Sequence, residues 1–312
     1  MWKGSRRLRH RCSYGCVPRG RNVFADIDDT DGVPKVIDTH VHPANELLIE
    51  HGGESLQYGF DYFGKDFSPE PIEETVEKYR EWGIDRAVLF ALDSETNTGN
   101  PAIPNDWVAE MREKYELFLG FASVDPHKGQ TAREEAVRAI EDLGLDGFKF
   151  QQAVQGFTPS NRRFDDLWAL LEDLGKPVLF HGGHTAIGAG SPGGSGLMLK
   201  HTRPVHIDEV AARYPNLQII IAHPAWPYHQ EQLSTVIHKS NVYMDLSGWQ
   251  PEYIPDEVIQ YAKSRISHKV LFGSDYPVVT PEDWLDGFEE LDFDEEAREM
   301  ILHENAEQLL DL

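Results

Sequence analysis

The 312-residue sequence predicts a (β/α)8 barrel, and three observations carry that expectation. First, eight short apolar runs follow one another from residue 35 onward: KVID (35–38), RAVLFAL (86–92), LFLGFASV (117–124), DGFKF (146–150), PVLF (177–180), LQIIIA (217–222), NVYMDL (241–246) and KVLFGS (269–274). Second, these runs do not alternate apolar with polar residues, so they read as parallel strands covered on both faces. Third, helical spacing fills the gaps between them. Phe164, Leu167, Trp168, Leu171 and Leu174 recur at three and four, as do Ala136, Val137 and Ile140, and Leu233, Val236 and Ile237. Val258, Tyr261 and Ala262, then Ile301, Leu302, Ala306 and Leu309, continue the pattern to the C-terminus. A barrel of this type takes about 250 residues, which residues 34–312 supply. A doubly wound open sheet, the alternative, rarely needs eight equal units.

Residues 1–33 are expected to be a basic, disordered extension in front of the barrel domain at 34–312. The first 21 residues hold seven Lys and Arg and no Asp or Glu, and both cysteines, Cys12 and Cys16, lie there. Two thiols with no further Cys make neither a zinc ribbon nor a disulfide framework. SRRLRH has no apolar segment after it, so an export signal is not supported.

The remainder, residues 22–312, carries 22 Lys and Arg against 53 Asp and Glu. So acidic a surface repels phosphate backbones, which argues against nucleic-acid binding and fits an acidic, salt-tolerant proteome. The longest apolar runs fall far short of the roughly 20 residues of a membrane span. The body from residue 22 onward lacks cysteine, which fits a cytoplasmic protein, and self-association into a homo-oligomer is left open.

Two connections are long: residues 43–70, rich in Gly and aromatics, after the first strand, and HTAIGAGSPGGSGLMLKH (184–201) after the fifth. Both are βα loops, which gather at the C-terminal mouth where barrel active sites lie. GAGSPGG lacks the Lys-Ser/Thr ending of a phosphate-binding loop and reads as a lid.

Polar residues stand where the strands should end at that mouth. The first run ends in Asp38-Thr39-His40-Val41-His42, and two histidines two apart in an extended segment share a face. The fourth run carries Lys149, the fifth ends at His181, the sixth at His223, and the eighth at Asp275. A lone histidine at a strand end is most often structural. Four histidines and an aspartate converging on one axis are far harder to explain that way, and they predict a divalent-cation site.

IDTHVHP, GFKFQQAVQGF, AHPAWP, VYMDLSGW and LFGSDYP together resemble the amidohydrolase-related superfamily, in the branch typified by 2-amino-3-carboxymuconate-6-semialdehyde decarboxylase. The similarity runs from about residue 35 to the end. It implies that His40, His42, His181 and Asp275 bind one catalytic metal, most often Zn2+, with His223 acting beside it. Lys149 occupies the position where binuclear members of the wider superfamily carry a carbamylated lysine between two metals; in the mononuclear reading it is a cation near the substrate's carboxylate or oxyanion.

A divalent cation held by imidazoles and one carboxylate keeps net positive charge and lowers the pKa of a coordinated water toward about 7. His223 and Asp275 are then the candidate proton carriers, with Lys149 as the electrostatic partner. His184, Trp226, Trp249 and Phe157 are the candidate substrate wall. Hydrolysis is the first expectation, on a carbonyl or carboxylate compound derived from an aromatic; HGGHTAIGAG, LMLKHTRP and DLSGW resemble hydrolases of hydroxyphenyl-β-ketoacyl-coenzyme A. Metal-dependent decarboxylation on the same residues is the alternative. A catalytically silent binding or scaffold barrel would require a broken ligand set, and this one is complete.

Overall fold

The computed structural model describes residues 36–312. The extension expected at 1–33, with Cys12 and Cys16, lies outside the described residues. Eight parallel strands form one sheet in sequence order: β1 Ile37–Val41, β2 Arg86–Phe90, β3 Phe118–Ala122, β4 Gly147–Phe150, β5 Val178–Phe180, β6 Ile219–Ile221, β7 Val242–Asp245 and β8 Val270–Leu271. Each falls within, or begins within, one of the eight apolar runs. The sheet closes where the Thr39 amide donates to the Phe272 carbonyl (3.0 Å) and the Asp275 amide to the His40 carbonyl (2.9 Å).

Side chains divide between two apolar layers, which is why no polar alternation shows in the sequence. Ile37, Val88, Phe90, Leu119, Leu179 and Ile220 fill the barrel, while Ala87, Phe118, Phe150, Phe180, Ile219 and Met244 pack outward beneath the helices. Strict alternation along β4 and β7 then turns Lys149 and Asp245 into the barrel, each almost wholly buried. The C-terminal helix Asn305–Leu310 adds Ala306 and Leu309 to the inner layer.

β1 breaks the alternation. Its register against β2 runs Asp38 to Ala87 and then Val41 to Leu89, so β1 spends three residues where β2 spends two. This bulge leaves Asp38 facing outward, where its carboxylate accepts from the Tyr79 hydroxyl (3.1 Å) and the Ser274 hydroxyl (2.5 Å). His40 is thereby re-aimed inward, its ring 4.8 Å from inward-facing Phe90. Without the extra residue, His40 would share the outward face of Asp38.

The helices fall where the spacing places them, at Gln130–Glu141, Asp165–Leu174, His229–His238 and Asp256–Ala262. Ile237 departs from the pattern: it is exposed, outside the buried stripe formed by Leu233 and Val236. The long segment after β1 is more ordered in kind than its glycines imply. Glu46–Phe63 is helical, started by Asn45, whose side chain accepts from the Leu47 amide, and bent at Gly53, which takes φ 53. The glycine pair hides a helix whose apolar residues Leu48, Leu56 and Phe60 face the barrel mouth. No helix among the described residues is long and apolar enough to cross a membrane.

Candidate metal centre and active site

The inward turn of β1 places His40 and His42 side by side at the mouth, their rings 5.4 Å apart. Asp275, just beyond β8, completes the group: its Oδ1 lies 3.3 Å from His40 Nε2 and 3.3 Å from His42 Nε2. Ligand atoms about 2.1 Å from a tetrahedral zinc stand roughly 3.4 Å apart, so these two separations match edges of such a polyhedron. The ligand atoms of His40, His42 and Asp275 all lie within 4.8 Å of one another.

The protonation of His40 fits the same purpose. Its Nδ1 lies 3.0 Å from Asp245 Oδ2, which fixes the proton on that nitrogen and leaves Nε2 with a free lone pair. That lone pair faces the Lys149 ammonium at 3.0 Å as well as Asp275. An imidazole lone pair and a carboxylate oxygen side by side are donors that a divalent ion could use. Burial and the neighbouring Lys149 charge also hold His40 well below the usual histidine range, in the neutral form that ligates.

His181 and His223 stand next to this group. His223 Nε2 is 3.1 Å from His181 Nδ1, and the His223 ring lies 4.7 Å from that of His40. The other His181 nitrogen faces the His184 carbonyl at 2.9 Å, and His181, expected as a fourth ligand, stands beside the three-atom group. Burial, with the Lys149 charge behind it, pushes His181 down to about 3. Burial and the adjacent His181 and His40 likewise keep His223 neutral.

Both His223 and Asp275 hold a backbone conformation that side chains other than glycine rarely adopt, with φ of 63 and 67. Such strain persists where the surroundings over-determine it, and here they do. The His223 amide donates to Asp245 Oδ1 (2.8 Å), its carbonyl accepts from Gln232 Nε2 (2.7 Å), and its Nδ1 lies 2.8 Å from Ser247 Oγ. Asp245 is thus the hub of the floor, reaching His40, His223 and Ser247 from one carboxylate. Sequence reasoning missed it, although it ends β7 as the other site residues end their strands.

Lys149 is 1% exposed, lies 4.7 Å over the Phe90 ring, and is pushed down to about 8 by burial, partly offset by the charges of Asp275 and Asp245. The open space above these groups is a cavity of about 720 Å³, whose floor includes His42, Lys149, His181, His223 and Asp275. His184, Trp226 and Trp249 line it, with ring separations of 5.9 Å for His184 and Trp226 and 6.3 Å for Trp226 and Trp249. Phe157 does not belong to this wall. It is buried in the outer layer, its ring 5.9 Å from Phe150 and 5.2 Å from Phe164, because helix Asp165–Leu174 carries Trp168 across the segment that follows β4. The segment after β5 is joined to the bent helix by the Gly188 amide, which donates to the Ser55 carbonyl (2.7 Å).

Gly248 of DLSGW explains why that motif needs a glycine. Its φ is 75, and a Cβ there would stand 2.8 Å from His223 Nδ1 and 3.0 Å from Asp275 Oδ2. Gly248→Ala is expected to displace both side chains, lowering turnover at least about tenfold and costing about 1–3 kcal/mol of stability. Steady-state kinetics and a thermal melt check this, and wild-type turnover would show that the contact is not built tightly.

A parallel eight-stranded barrel with candidate cation ligands at its C-terminal mouth has the architecture of a barrel enzyme. The amidohydrolase family profile matches residues 37–312, and the chain belongs to that family. A curated relative, the Emericella nidulans protein named decarboxylase orsB, is 25% identical over 238 residues, covering 62% of this chain and 70% of the relative. Among solved structures, an uncharacterized TIM-barrel protein from Bordetella bronchiseptica superposes with a TM-score of 0.72 at 24% identity, covering 88% of this chain and 98% of the other. A 5-carboxyvanillate decarboxylase from Novosphingobium aromaticivorans, solved with bound manganese, gives a TM-score of 0.67 at 19% identity over 90% of this chain and 98% of its own.

Proposed function

We propose that this chain is a metal-dependent decarboxylase of a hydroxylated aromatic acid. The observation that carries the reading is the placing of the candidate donors His40, His42 and Asp275 beside the buried Lys149 beneath aromatic walls. A divalent cation held there would, with the Lys149 ammonium, outweigh the carboxylates of Asp245 and Asp275 and leave about one net positive charge at the floor. Such a floor attracts an anion and strips its water. The bound cation would supply Lewis-acid stabilisation of the carboxylate and an adjacent oxygen. Lys149 holds the same negative charge from the barrel side. Asp275, the carboxylate at the floor that lines the open cavity, is placed to carry the proton that replaces carbon dioxide on the ring. In that step the bond from ring to carboxyl carbon breaks, a bond from ring carbon to hydrogen forms, and no oxygen enters the product. The name of the curated relative supports the same chemistry.

Zinc is the ion we propose, since two neutral imidazoles and a carboxylate suit it, and one ion per chain. Manganese, which the Novosphingobium neighbour holds, is the rival. Metal analysis of the purified protein decides between them, and two ions per chain would instead bring His181, His223 and a carbamylated Lys149 into the ligand set.

The test of the reaction is isotopic. Metal-loaded protein is given 2,6-dihydroxybenzoate and, in parallel, an aromatic β-ketoacyl thioester, in water enriched in ¹⁸O and again in D2O. The expected result is carbon dioxide release with deuterium at the vacated ring carbon. A carboxylic acid carrying solvent ¹⁸O, formed from the thioester without carbon dioxide release from the benzoate, would establish hydrolysis in its place.

A further inference from the structure

The cavity is much larger than the acid that its floor requires. A space of roughly 150 Å³ accommodates benzene, whereas this one measures about 720 Å³, a size that ordinarily holds a ligand of several rings or a ring with a long substituent. Its chemistry is also segregated. His42, Lys149, His181, His223 and Asp275 lie at the floor, His51, His184 and Lys65 stand elsewhere in the lining, and toward the mouth it changes to Phe60, Tyr62, Phe63, Ile187, Trp226 and Tyr253.

Four of these mouth residues are strongly exposed: Tyr62 at 66%, Tyr253 at 63%, Phe63 at 49% and Trp226 at 46%. Large aromatic surface left in water at the rim of one cavity is surface that an apolar ligand would cover. The rim is also built in place, because the helix carrying Tyr62 and Phe63 is hydrogen-bonded through Ser55 to the segment after β5.

We propose that the substrate is amphiphilic: an aromatic acid whose carboxylate sits on the floor and whose ring bears an extended, uncharged apolar substituent directed toward the mouth. This rests on the decarboxylase reading for the placement of the acid. The lining favours an uncharged substituent over one bearing several phosphates, because Lys65 is the cation the described rim offers and the chain as a whole has a net charge of −24.

A series of 2,6-dihydroxybenzoates carrying hydrogen, methyl, propyl, pentyl or heptyl at the 4-position tests this, since that position is opposite the carboxylate. Each methylene buried is expected to raise kcat/KM by up to about fourfold until the mouth is filled. The pentyl compound should exceed the unsubstituted acid by at least about 30-fold. In the double variant Tyr62→Ser with Phe63→Ser the ratio between those two compounds should fall severalfold within the same protein. Binding of the matching 5-alkylresorcinols, followed by tryptophan fluorescence, supplies a readout that needs no turnover, and Kd should fall with chain length.

Equal kcat/KM across the acids together with a Kd independent of chain length overturns the proposal while leaving decarboxylation standing. Resorcinol affinity that climbs with chain length, with no carbon dioxide from any acid, supports the amphiphilic cavity and sinks the decarboxylase reading.

Discussion

Asp275→Asn is expected to lower turnover by about 10³-fold or more and to leave the purified protein with little bound metal. Asp275 Oδ1 is the atom that faces both His40 Nε2 and His42 Nε2 at 3.3 Å. A neutral amide in its place removes the one negative charge of the three-ligand group and, in the proposed reaction, the proton carrier as well. The fold should survive, because asparagine accepts the left-handed conformation that Asp275 takes at φ 67. The comparison is therefore between metal content and turnover on one side and the melting temperature of the metal-free proteins on the other. A variant that keeps its metal and its rate would remove Asp275 from the site.

His223→Asn should separate catalysis from metal binding. Asparagine tolerates φ 63 and can keep an amide near Ser247, which His223 Nδ1 approaches at 2.8 Å, but it has nothing in the place of Nε2. Turnover is expected to drop by about 10²-fold or more with the metal retained and the melting temperature little changed, as for loss of a group that handles a proton. Loss of metal in step with activity would make His223 a ligand, and the site would then have to be redrawn around His40, His223 and Asp245, whose ligand atoms also lie within 4.8 Å of one another.

The barrel was legible because two-sided burial writes eight apolar runs into the chain, and a polar residue at the end of such a run stands out against it. His40, His42 and Asp275 were found in that way, and they do meet. Asp245 escaped although it ends β7, since its importance lies in partners on β1 and just beyond β6 and in no local spacing. The bulge in β1 was equally invisible: HVH reads as a shared face whichever face it is, and only pairing with β2 decides which. Phe157 was misplaced because an aromatic after a strand can turn to the mouth or to the outer helices, and Trp168 and Phe164 decide that contest. The helix Glu46–Phe63 was obscured by its own glycines.

The candidate ligands come from the two ends of the barrel. His40 lies in the first strand and His42 directly after it, Asp275 follows the last, and the outward side of the same seam is knotted by Asp38 and Ser274, 236 residues apart. A chain emerging from the ribosome therefore carries two of the three donor atoms almost from the start yet has no cage until its eighth strand has been made. A chain lacking β8 would lack Asp275 and the closure of the barrel together, so on the proposed reading the cation site would be complete only once the last strand is in place.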